Sequence, residues 1–285
     1  MNGRHLLGLV GAGIGASLSP ALHEREADRL GLRCLYATID LEELELGADA
    51  VGEVLAAARL AGFDGLNVTH PCKQTVLAHL DDLAPEAAAL GAVNTVVLRD
   101  GRAVGHNTDA SGFAEGFARG LPDADLRRVV LLGAGGAGAA VGHAALALGA
   151  DHLTVVDVDT GRAAALARSL GARFAPERVG CDRPAALPAL LAGADGLIHA
   201  TPTGMAAHPG LPLDPDLLHP GLWVADIVYR PLDTELLACA RGAGCRTLDG
   251  GRMVVLQAAA SFALFTGVEP DRERMLRHFA TLGTP

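Results

Sequence analysis

The sequence predicts an α/β fold built mostly from parallel strands. Through roughly the first hundred residues, short apolar runs typical of buried strands alternate with segments of helical periodicity. Near residue 110 a second series of strand and helix patterns begins. A chain of 285 residues is long enough for two modest domains. We therefore expect two α/β units.

The first unit has a regular order of elements. Buried strands are expected at 5–10, 34–41 and 64–69. Helical patterns occupy 20–31, 47–62 and 71–80, each with proline or glycine near an end. The stretch 92–109 is predicted to form a hairpin, with Asp100-Gly101 at its turn.

The second unit begins with a strand, a glycine turn, an Ala-rich helix and a further strand over 127–159. Further strands are expected within 193–202 and 221–229. The stretch 253–279 reads as helix, with a break near Gly267 and Pro270.

Composition excludes several classes of protein. Half of the residues are hydrophobic but only 4% are aromatic, so the core must consist largely of Ala, Leu and Val. The formal charge of −10 argues against nucleic acid or an anionic membrane as a partner. The five cysteines are scattered without a CxxC pair, which fits a reducing compartment and predicts no metal site. With no signal-peptide pattern and no long uncharged apolar stretch, we expect a cytoplasmic protein. The oligomeric state is not readable from the sequence.

Lys73 is unusual because all the other basic residues among the 23 Lys and Arg are arginines. Arginine stays protonated at any accessible pH, whereas lysine can give up a proton. A surface cation would tolerate arginine, but a proton-transfer site would not. Composition alone leaves two interpretations open, a catalytic lysine or a chance survivor.

The stretch "LLGAGGAG", residues 131–138, follows a predicted strand and opens a helix. It fits GxGxxG with Gly133, Gly135 and Gly138, and Asp157 ends the next strand 24 positions after Gly133. Glycines in this context let backbone N–H groups approach a pyrophosphate, and the acidic residue can bind a ribose. The alternative is a glycine-rich turn without a ligand.

Other polar residues stand at predicted turns. Ser17 and Ser19 precede a helix, where serine is a common cap. Asn94, Asn107, Thr108 and Asp109 fall at strand ends or in loops, where they could simply be turn residues.

Taken together, the motifs resemble the shikimate dehydrogenase family, in particular its NAD-dependent quinate/shikimate dehydrogenase branch. The resemblance rests on eight motifs in the family's order: "SLSP", "GFDGLNVTHPCKQ", "LGAVNTV", "GHNTDASGF", "GAGGAG", "ATPTGM", "DIVYRPLDTELL" and "DGGRMVVLQAAASFALFTG". It implies a substrate-binding domain of residues 1–108 with 251–285, a Rossmann NAD-binding domain of 109–250, and an active site in the cleft between them. It also implies reversible hydride transfer between a nicotinamide and the hydroxyl-bearing carbon of a small cyclic hydroxy-carboxylic acid such as shikimate or quinate.

The resemblance also implies roles for individual residues. Ser17 and Ser19 match the hydroxyls that hold the substrate carboxylate, and Tyr229 matches a tyrosine near it. The residues that match polar groups around the ring hydroxyls are Thr69, Asn94 and Gln257. Lys73 and Asp109 match the catalytic pair, with Lys73 as the acid/base and Asp109 more plausibly orienting it. This explains the single lysine as the proton-transfer residue.

The cofactor is expected to be NAD. NADP-dependent shikimate dehydrogenases typically carry Asn-Arg-Thr after the second Rossmann strand, where this chain has Asp157, Val158 and Asp159. Arg162 could reach a phosphate, but pairing with Asp159 or stacking on adenine is as plausible. The expected cofactor-binding residues are Gly133, Ala134, Gly135, Gly136, Ala137, Asp157, Asp159, Arg162, Thr201, Ile227 and Gly250.

Three other functions fit parts of the sequence. A dehydrogenase for an aminoshikimate or aminoquinate analogue would have almost the same site. A non-catalytic NAD-sensing regulator would keep the fold, but it would have no need for a Lys73–Asp109 pair. A folate-linked dehydrogenase shares the architecture but gives no reason for Ser17 and Ser19.

Overall fold

The computed structural model describes residues 3–282 and divides the chain into two compact units. Of the described residues, the first unit comprises 3–112 and 255–282, and the second comprises 113–254. Each unit contains one β-sheet with helices, so the α/β architecture predicted from the sequence is present in both.

The first unit contains a six-stranded sheet. Its strands are β1 (Arg4–Gly11), β2 (Arg33–Asp40), β3 (Gly65–Val68), β4 (Asp82–Leu83), β5 (Thr95–Arg99) and β6 (Arg102–His106). The helices in or entering this unit are α1 (Ser19–Arg29), α2 (Val51–Ala61), α3 (Pro85–Leu90), the start of α4 (Asp109–Gly120), most of α9 (Gly251–Thr266) and α10 (Arg272–Leu282). Short 3₁₀ helices occupy Ala48–Ala50 and Thr75–His79.

The strand order in this sheet is β2-β1-β3-β5-β6-β4. The first three strands are parallel, but β3 pairs with β5, and β5 with β6, in antiparallel fashion. The sheet is therefore mixed. The predicted two-residue turn joins β5 to β6 and makes that pair antiparallel. Asp100 and Gly101 both have positive φ, of 52° and 74°, as a turn of this hairpin type requires.

The segment around Lys73 differs from the predicted helix at 71–80. Pro71–Gln74 forms a turn, and only Thr75–His79 is helical, as a 3₁₀ helix. The Lys73 carbonyl accepts a hydrogen bond from the Val93 N–H at 2.8 Å, and its partner is therefore outside the predicted helix. The Leu77 N–H, which would bond Lys73 in an α-helix, bonds the Gln74 carbonyl at 3.2 Å instead. Lys73 therefore lies in a turn tied to the chain just before β5.

The second unit has a wholly parallel sheet. Its strands are β7 (Arg128–Leu132), β8 (His152–Val156), β9 (Val179–Asp182), β10 (Gly196–His199), β11 (Trp223–Asp226) and β12 (Arg246–Leu248). Its complete α-helices are α5 (Gly136–Ala147), α6 (Thr160–Arg173), α7 (Leu187–Leu191) and α8 (Glu235–Gly242). Short 3₁₀ helices occupy Pro176–Arg178, Pro184–Ala186 and Pro215–Leu217.

The order β12-β11-β10-β7-β8-β9 places the first strand of this unit next to its fourth. This is the doubly wound order of dinucleotide-binding folds, with its switch point between β7 and β10. Ligands of such sheets bind beyond the carboxyl ends of the strands at that point. The loops that follow β7 and β10 are therefore the place to look for a ligand.

Glycines make room for the few aromatic residues in both cores. A Cβ at Gly65 on β3 would lie 2.3 Å from the Phe265 ring of α9, and one at Gly196 on β10 would lie 1.9 Å from the Trp223 indole of β11. Phe265 and Trp223 are almost fully buried. A buried aromatic side chain contributes about 1.5–3 kcal/mol relative to an exposed one, so a larger residue at either glycine would displace a substantial part of the core.

Across residues 3–282, the helices are all too short or too polar to cross a membrane.

Candidate active site

Lys73 forms a close ion pair with Asp109. The Lys73 Nζ donates to Asp109 Oδ2 at 2.5 Å, and the two side chains are 22% and 9% exposed. Lys73 lies in the turn after β3, and Asp109 is the first residue of α4. The first unit thus brings together two residues that are 36 positions apart in the sequence. Charged groups this little exposed interact more strongly than a surface pair, because water screens them less.

Asn94 fixes the position of Asp109. Its Nδ2 donates to Asp109 Oδ1 at 2.8 Å and to Thr108 Oγ1 at 2.9 Å, while its Oδ1 accepts the Thr108 N–H at 2.8 Å. Both Asp109 oxygens are therefore engaged, one with Lys73 and one with Asn94. The carboxylate orientation is set from two sides, as an orienting group requires.

A second amide, Asn67 on β3, extends this network and was not among the predicted site residues. Asn67 Nδ2 donates to Thr95 Oγ1 at 3.1 Å, and Thr95 Oγ1 donates to Asn94 Oδ1 at 3.0 Å. On its other side, Asn67 Oδ1 accepts the Tyr36 hydroxyl at 2.7 Å. Burial raises the pKa of Tyr36, so its hydroxyl stays protonated and remains a donor. Asn67 lies within the motif that contains Lys73, and that position was the available signal.

Ser17 and Ser19 lie side by side at the start of α1. Their hydroxyl oxygens are 3.2 Å apart, and the Ser19 N–H donates to Ser17 Oγ at 3.2 Å. Leu18, not a serine, occupies the N-cap, and it makes no side-chain cap bond. Ser17 Oγ thus accepts the N–H of the first residue of α1, as a cap would, and it also lies next to the Ser19 hydroxyl. The pair can present two donors to one carboxylate.

His23, one turn further along α1, anchors this end of the helix. Its Nδ1 lies 2.9 Å from the Ser19 carbonyl, and its Nε2 lies 3.2 Å from Ser261 Oγ on α9. The ring is fully buried, with its centroid 4.8 Å from that of Tyr36. Burial lowers the pKa of His23 to about 4, with a smaller opposing effect of the Ser19 carbonyl. His23 is therefore neutral near pH 7 and acts as a hydrogen-bonding support.

The other predicted substrate residues fall in different places. Gln257, on α9, joins the network through its Oε1, which accepts a hydrogen bond from the Thr108 hydroxyl at 3.4 Å. Thr69 follows β3 directly, and its N–H donates to the Val10 carbonyl at 2.9 Å. Tyr229 belongs to the second unit, three residues beyond the end of β11. The first unit thus holds all the predicted catalytic and substrate residues except Tyr229.

In the second unit, the predicted glycine turn joins β7 to α5. Gly133 has a φ of +104°, and a Cβ there would lie 2.5 Å from the Ala200 carbonyl oxygen. A Cβ at Gly138 would lie 2.1 Å from the Gly133 carbonyl oxygen, so these two glycines are needed for packing. A Cβ at Gly135, by contrast, would meet nothing within 4 Å.

Gly135 is the N-cap of α5, so the open space lies over the helix N-terminus and its backbone N–H groups. Gly136 and Ala137 form the first turn of this helix. An open backbone cradle over a helix N-terminus suits a pyrophosphate. These residues therefore fit a dinucleotide.

Asp157, directly after β8, is bound into the glycine turn. Its Oδ2 accepts the Ala134 N–H, and its Oδ1 accepts the Asp159 N–H, each at 2.8 Å. Arg162 pairs with both carboxylates, reaching Asp157 Oδ1 at 3.1 Å and Asp159 Oδ2 at 3.3 Å. Burial alone would raise the pKa of Asp157, but the two N–H groups and the Arg162 guanidinium outweigh it and hold that pKa below its usual value. Asp157 is therefore an ionised acceptor.

The remaining predicted cofactor residues also lie at the carboxyl end of this sheet. Thr201 stands two positions after β10, and Ile227 follows β11 directly. Gly250 precedes α9, and a Cβ there would lie 2.4 Å from the Ile227 carbonyl oxygen. The second unit thus places Thr201, Ile227 and Gly250 beyond the same strand ends as the glycine turn. Within residues 3–282, no three His, Cys, Asp or Glu side chains converge as metal ligands.

Comparison with protein families gives two matches. Residues 9–96 match the model of the shikimate dehydrogenase substrate binding domain, and residues 252–278 match that of the shikimate 5'-dehydrogenase C-terminal domain. The first match includes Ser17, Ser19, Lys73 and Asn94, and the second includes Gln257.

The chain is also similar over nearly its whole length to curated relatives. It is 66% identical to "Shikimate dehydrogenase (NADP(+))" of Streptomyces avermitilis, covering 98% of this chain and 96% of the relative. It is 48% identical to "Quinate/shikimate dehydrogenase (NAD(+))" of Corynebacterium efficiens, covering 97% and 98%. Among solved structures, quinate dehydrogenase from Corynebacterium glutamicum in complex with NAD superposes with a TM-score of 0.91 at 46% identity, covering 98% and 99%.

Proposed function

Because this chain belongs to the shikimate dehydrogenase family, we propose that it catalyses the reversible oxidation of shikimate or quinate to the 3-dehydro form with NAD. The observation that carries the proposal is the Lys73–Asp109 pair, which is little exposed and held by Asn94. A lysine placed this way, in a chain that otherwise uses arginine, suits proton transfer.

In this proposal Lys73 is the acid/base. During oxidation Lys73 in its neutral amine form accepts the proton of the substrate hydroxyl and becomes the ammonium partner of Asp109. The hydrogen on the same carbon leaves with its bonding electron pair as hydride, and the C=O bond forms. The nicotinamide dinucleotide, when bound, supplies the hydride acceptor. In the reverse direction Lys73 returns the proton to the new hydroxyl. Asp109 keeps the Lys73 amine in one place, because its second oxygen is fixed by Asn94.

Two sets of residues orient the substrate. Ser17 and Ser19 donate to its carboxylate, and the closeness of their hydroxyls supports this role because a carboxylate offers two adjacent acceptors. The groups assigned to the ring hydroxyls are Thr69, Asn94 and Gln257, and Tyr229 is assigned to the carboxylate. Apart from Tyr229, which belongs to the second unit, the substrate residues are thus assigned to the first unit, and the dinucleotide is assigned to the second.

The finer assignment to NAD rests on Asp157. An ionised carboxylate directly after the second strand of the doubly wound sheet can accept hydrogen bonds from the ribose hydroxyls. The same charge opposes a 2′-phosphate. Arg162, the residue best placed to offset that repulsion, is already paired with Asp157 and Asp159. Relatives bear names with both cofactors, so the cofactor must be measured on this chain.

The test is a matrix of initial rates. Shikimate, quinate and their amino analogues are each assayed with NAD and with NADP, and Lys73→Ala protein serves as the blank for contaminating dehydrogenases. We expect oxidation of shikimate or quinate, with NAD the better cofactor by kcat/KM. Oxidation of only the amino analogues would overturn the substrate assignment, and better turnover with NADP would overturn the cofactor assignment. Binding of NAD without oxidation of any of these substrates would support a sensor instead of an enzyme.

A further inference from the structure

Beneath the predicted cofactor residue Thr201 runs a buried chain of hydrogen bonds. His199 Nε2 lies 2.5 Å from Thr201 Oγ1, and His199 Nδ1 lies 2.9 Å from Asp226 Oδ1. Asp226 Oδ2 accepts the Thr234 hydroxyl at 2.7 Å, and Asp226 Oδ1 also accepts the Val228 N–H at 3.0 Å. The side chains of His199 and Asp226 are both completely buried.

The sheet explains how this chain of bonds forms. His199 and Asp226 are the last residues of β10 and β11, and the parallel register pairs them directly. Thr201 follows at the switch point of the sheet. A Cβ at Gly133, the first glycine of the turn, would lie 3.1 Å from Thr201 Cγ2, so the methyl group of Thr201 packs toward the glycine turn. His199 approaches the hydroxyl group of the same side chain.

Counting donors fixes the direction of the His199–Asp226 bond, and for a neutral imidazole it also fixes the direction of the bond between His199 and Thr201. The Asp226 carboxylate can only accept, and its neighbours Thr234 and Val228 both donate to it. His199 must then carry its proton on Nδ1, and in a neutral imidazole this makes Nε2 an acceptor. With the imidazole neutral, the Thr201 hydroxyl donates a hydrogen bond to that nitrogen. The Thr201 oxygen, which also accepts the Thr203 N–H at 3.3 Å, keeps a lone pair for one further donor.

Packing alone gives no reason for this arrangement. Removing a carboxylate and an imidazole from water costs free energy, and apolar residues of similar volume would fill the same space without that cost. What the polar pair adds is a defined orientation of one hydroxyl beside the glycine turn.

We propose that His199 and Asp226 are positioning residues for the dinucleotide site. A neutral His199, held by Asp226, accepts a hydrogen bond from the Thr201 hydroxyl, so that the Thr201 oxygen is left to accept a hydrogen bond from the bound dinucleotide. The partner is a proton donor of the dinucleotide, either a ribose hydroxyl or the carboxamide NH₂ group, and not a phosphate, which offers no proton. This inference rests on the proposed dinucleotide site.

The test measures binding rather than turnover. NADH fluorescence titration gives the dissociation constant for wild type, Thr201→Val, Thr201→Ser, His199→Asn, His199→Gln and the double variant Thr201→Val/His199→Asn. One hydrogen bond corresponds to about a three- to tenfold change in this constant. We expect Thr201→Val and His199→Asn each to weaken binding by that factor, while Thr201→Ser stays near wild type.

Two comparisons identify the route. If His199 acts through Thr201, the double variant binds NADH no more weakly than Thr201→Val alone, because both substitutions remove the same hydrogen bond to the dinucleotide. Gln can place an amide oxygen near the site of His199 Nε2, so His199→Gln should recover part of the affinity lost in His199→Asn. His152→Asn, at the first residue of β8 and so at the opposite end of the sheet from the ligand loops, is the matched control and should bind like wild type.

A titration with a dinucleotide analogue identifies which group of the dinucleotide donates the hydrogen bond to Thr201. Reduced 3-acetylpyridine adenine dinucleotide has no carboxamide N–H. If the penalty of Thr201→Val vanishes with this analogue, the carboxamide is the donor, and if the penalty persists, the donor is a ribose hydroxyl. Both results support the inference.

Three results would overturn it. Unchanged NADH affinity in Thr201→Val removes the contact, and unchanged affinity in His199→Asn removes the positioning role. Independent, multiplicative losses in the double variant show that His199 acts by a route other than Thr201. If thermal unfolding shows His199→Asn to be unfolded, the same cycle is run with His199→Gln. Absence of NADH binding in wild type would reject the dinucleotide site itself, and so is distinguishable from a failure of the variants.

Discussion

Replacing Lys73 by arginine separates the charge of this side chain from its capacity to transfer a proton. Lys73 Nζ lies 2.5 Å from Asp109 Oδ2, and the two side chains are only 22% and 9% exposed. Arginine keeps a cation opposite Asp109, so we expect the free energy of unfolding to change by less than about 1 kcal/mol. Because arginine does not give up its proton, kcat should fall by roughly 10²- to 10⁴-fold, which corresponds to about 2.7–5.5 kcal/mol of activation free energy.

Lys73→Ala makes the complementary change. Asp109 then keeps the Asn94 amide at 2.8 Å but loses its cation, so a nearly buried carboxylate is left with one fewer partner. We expect a loss of about 1–3 kcal/mol in the free energy of unfolding, in addition to the loss of kcat. The two substitutions should therefore resemble each other in kcat and differ in stability.

The assay is steady-state kinetics with saturating NAD, together with urea unfolding of each variant. Arg59→Lys, the reverse exchange in the surface pair of Arg59 with Asp81 at 2.8 Å, is the control and should leave kcat unchanged. A kcat for Lys73→Arg within threefold of wild type would refute the proton-transfer role and make the single lysine a chance survivor.

The other predictions concern cofactor choice, substrate binding and pH. The combined change Asp157→Asn and Val158→Arg should erase or reverse a preference for NAD of at least about tenfold in kcat/KM, or ~1.4 kcal/mol; a wild type equally efficient with NADP would contradict this use of Asp157. Ser17→Ala and Ser19→Ala should each raise KM for the acid substrate by the equivalent of about 1–3 kcal/mol and leave KM for NAD unchanged; an unaltered substrate KM would show that the serines do not bind the carboxylate. Burial lowers the pKa of His23 from 6.5 to about 4, so between these values the unfolded chain binds more protons than the folded one. The stability that neutral His23 contributes is complete above pH 6.5 and is lost as the pH falls toward 4, by about 3 kcal/mol. Urea unfolding across that range should show that the free energy of unfolding falls less steeply with decreasing pH in His23→Gln than in wild type. Equal pH dependence in the two proteins would contradict a contribution of neutral His23 to stability.

Local patterns were sufficient for much of the fold. The Asp100-Gly101 hairpin and the glycine turn at Gly133 are short-range features, since turn geometry depends on residues that are adjacent in the chain. The helix predicted at 71–80 failed for the opposite reason. There the Lys73 carbonyl bonds Val93, a residue 20 positions away, and propensity carries no information about that partner.

The candidate site shows the same limit. The resemblance of motifs is enough to pair Lys73 with Asp109. It did not indicate Asn67, whose amide bonds depend on strands β2, β3 and β5 lying in one sheet. The motifs do not indicate His199 either, because its partner Asp226 is adjacent only through the parallel register of β10 and β11. Buried polar networks of this kind are set by tertiary pairing.

The paired lysine also determines how this chain responds to amine-directed reagents. Acylating esters and aldehydes attack primary amines, and guanidinium groups do not react under the same mild conditions. Apart from the α-amino group, the Lys73 amine is the only such target in the whole sequence, and it is held against Asp109. Immobilising the protein on an amine-reactive support, or cross-linking it with a dialdehyde, would therefore attach it either through the α-amino group or through its candidate catalytic centre. Coupling through a cysteine thiol such as that of the exposed Cys181 would leave the Lys73 amine unmodified.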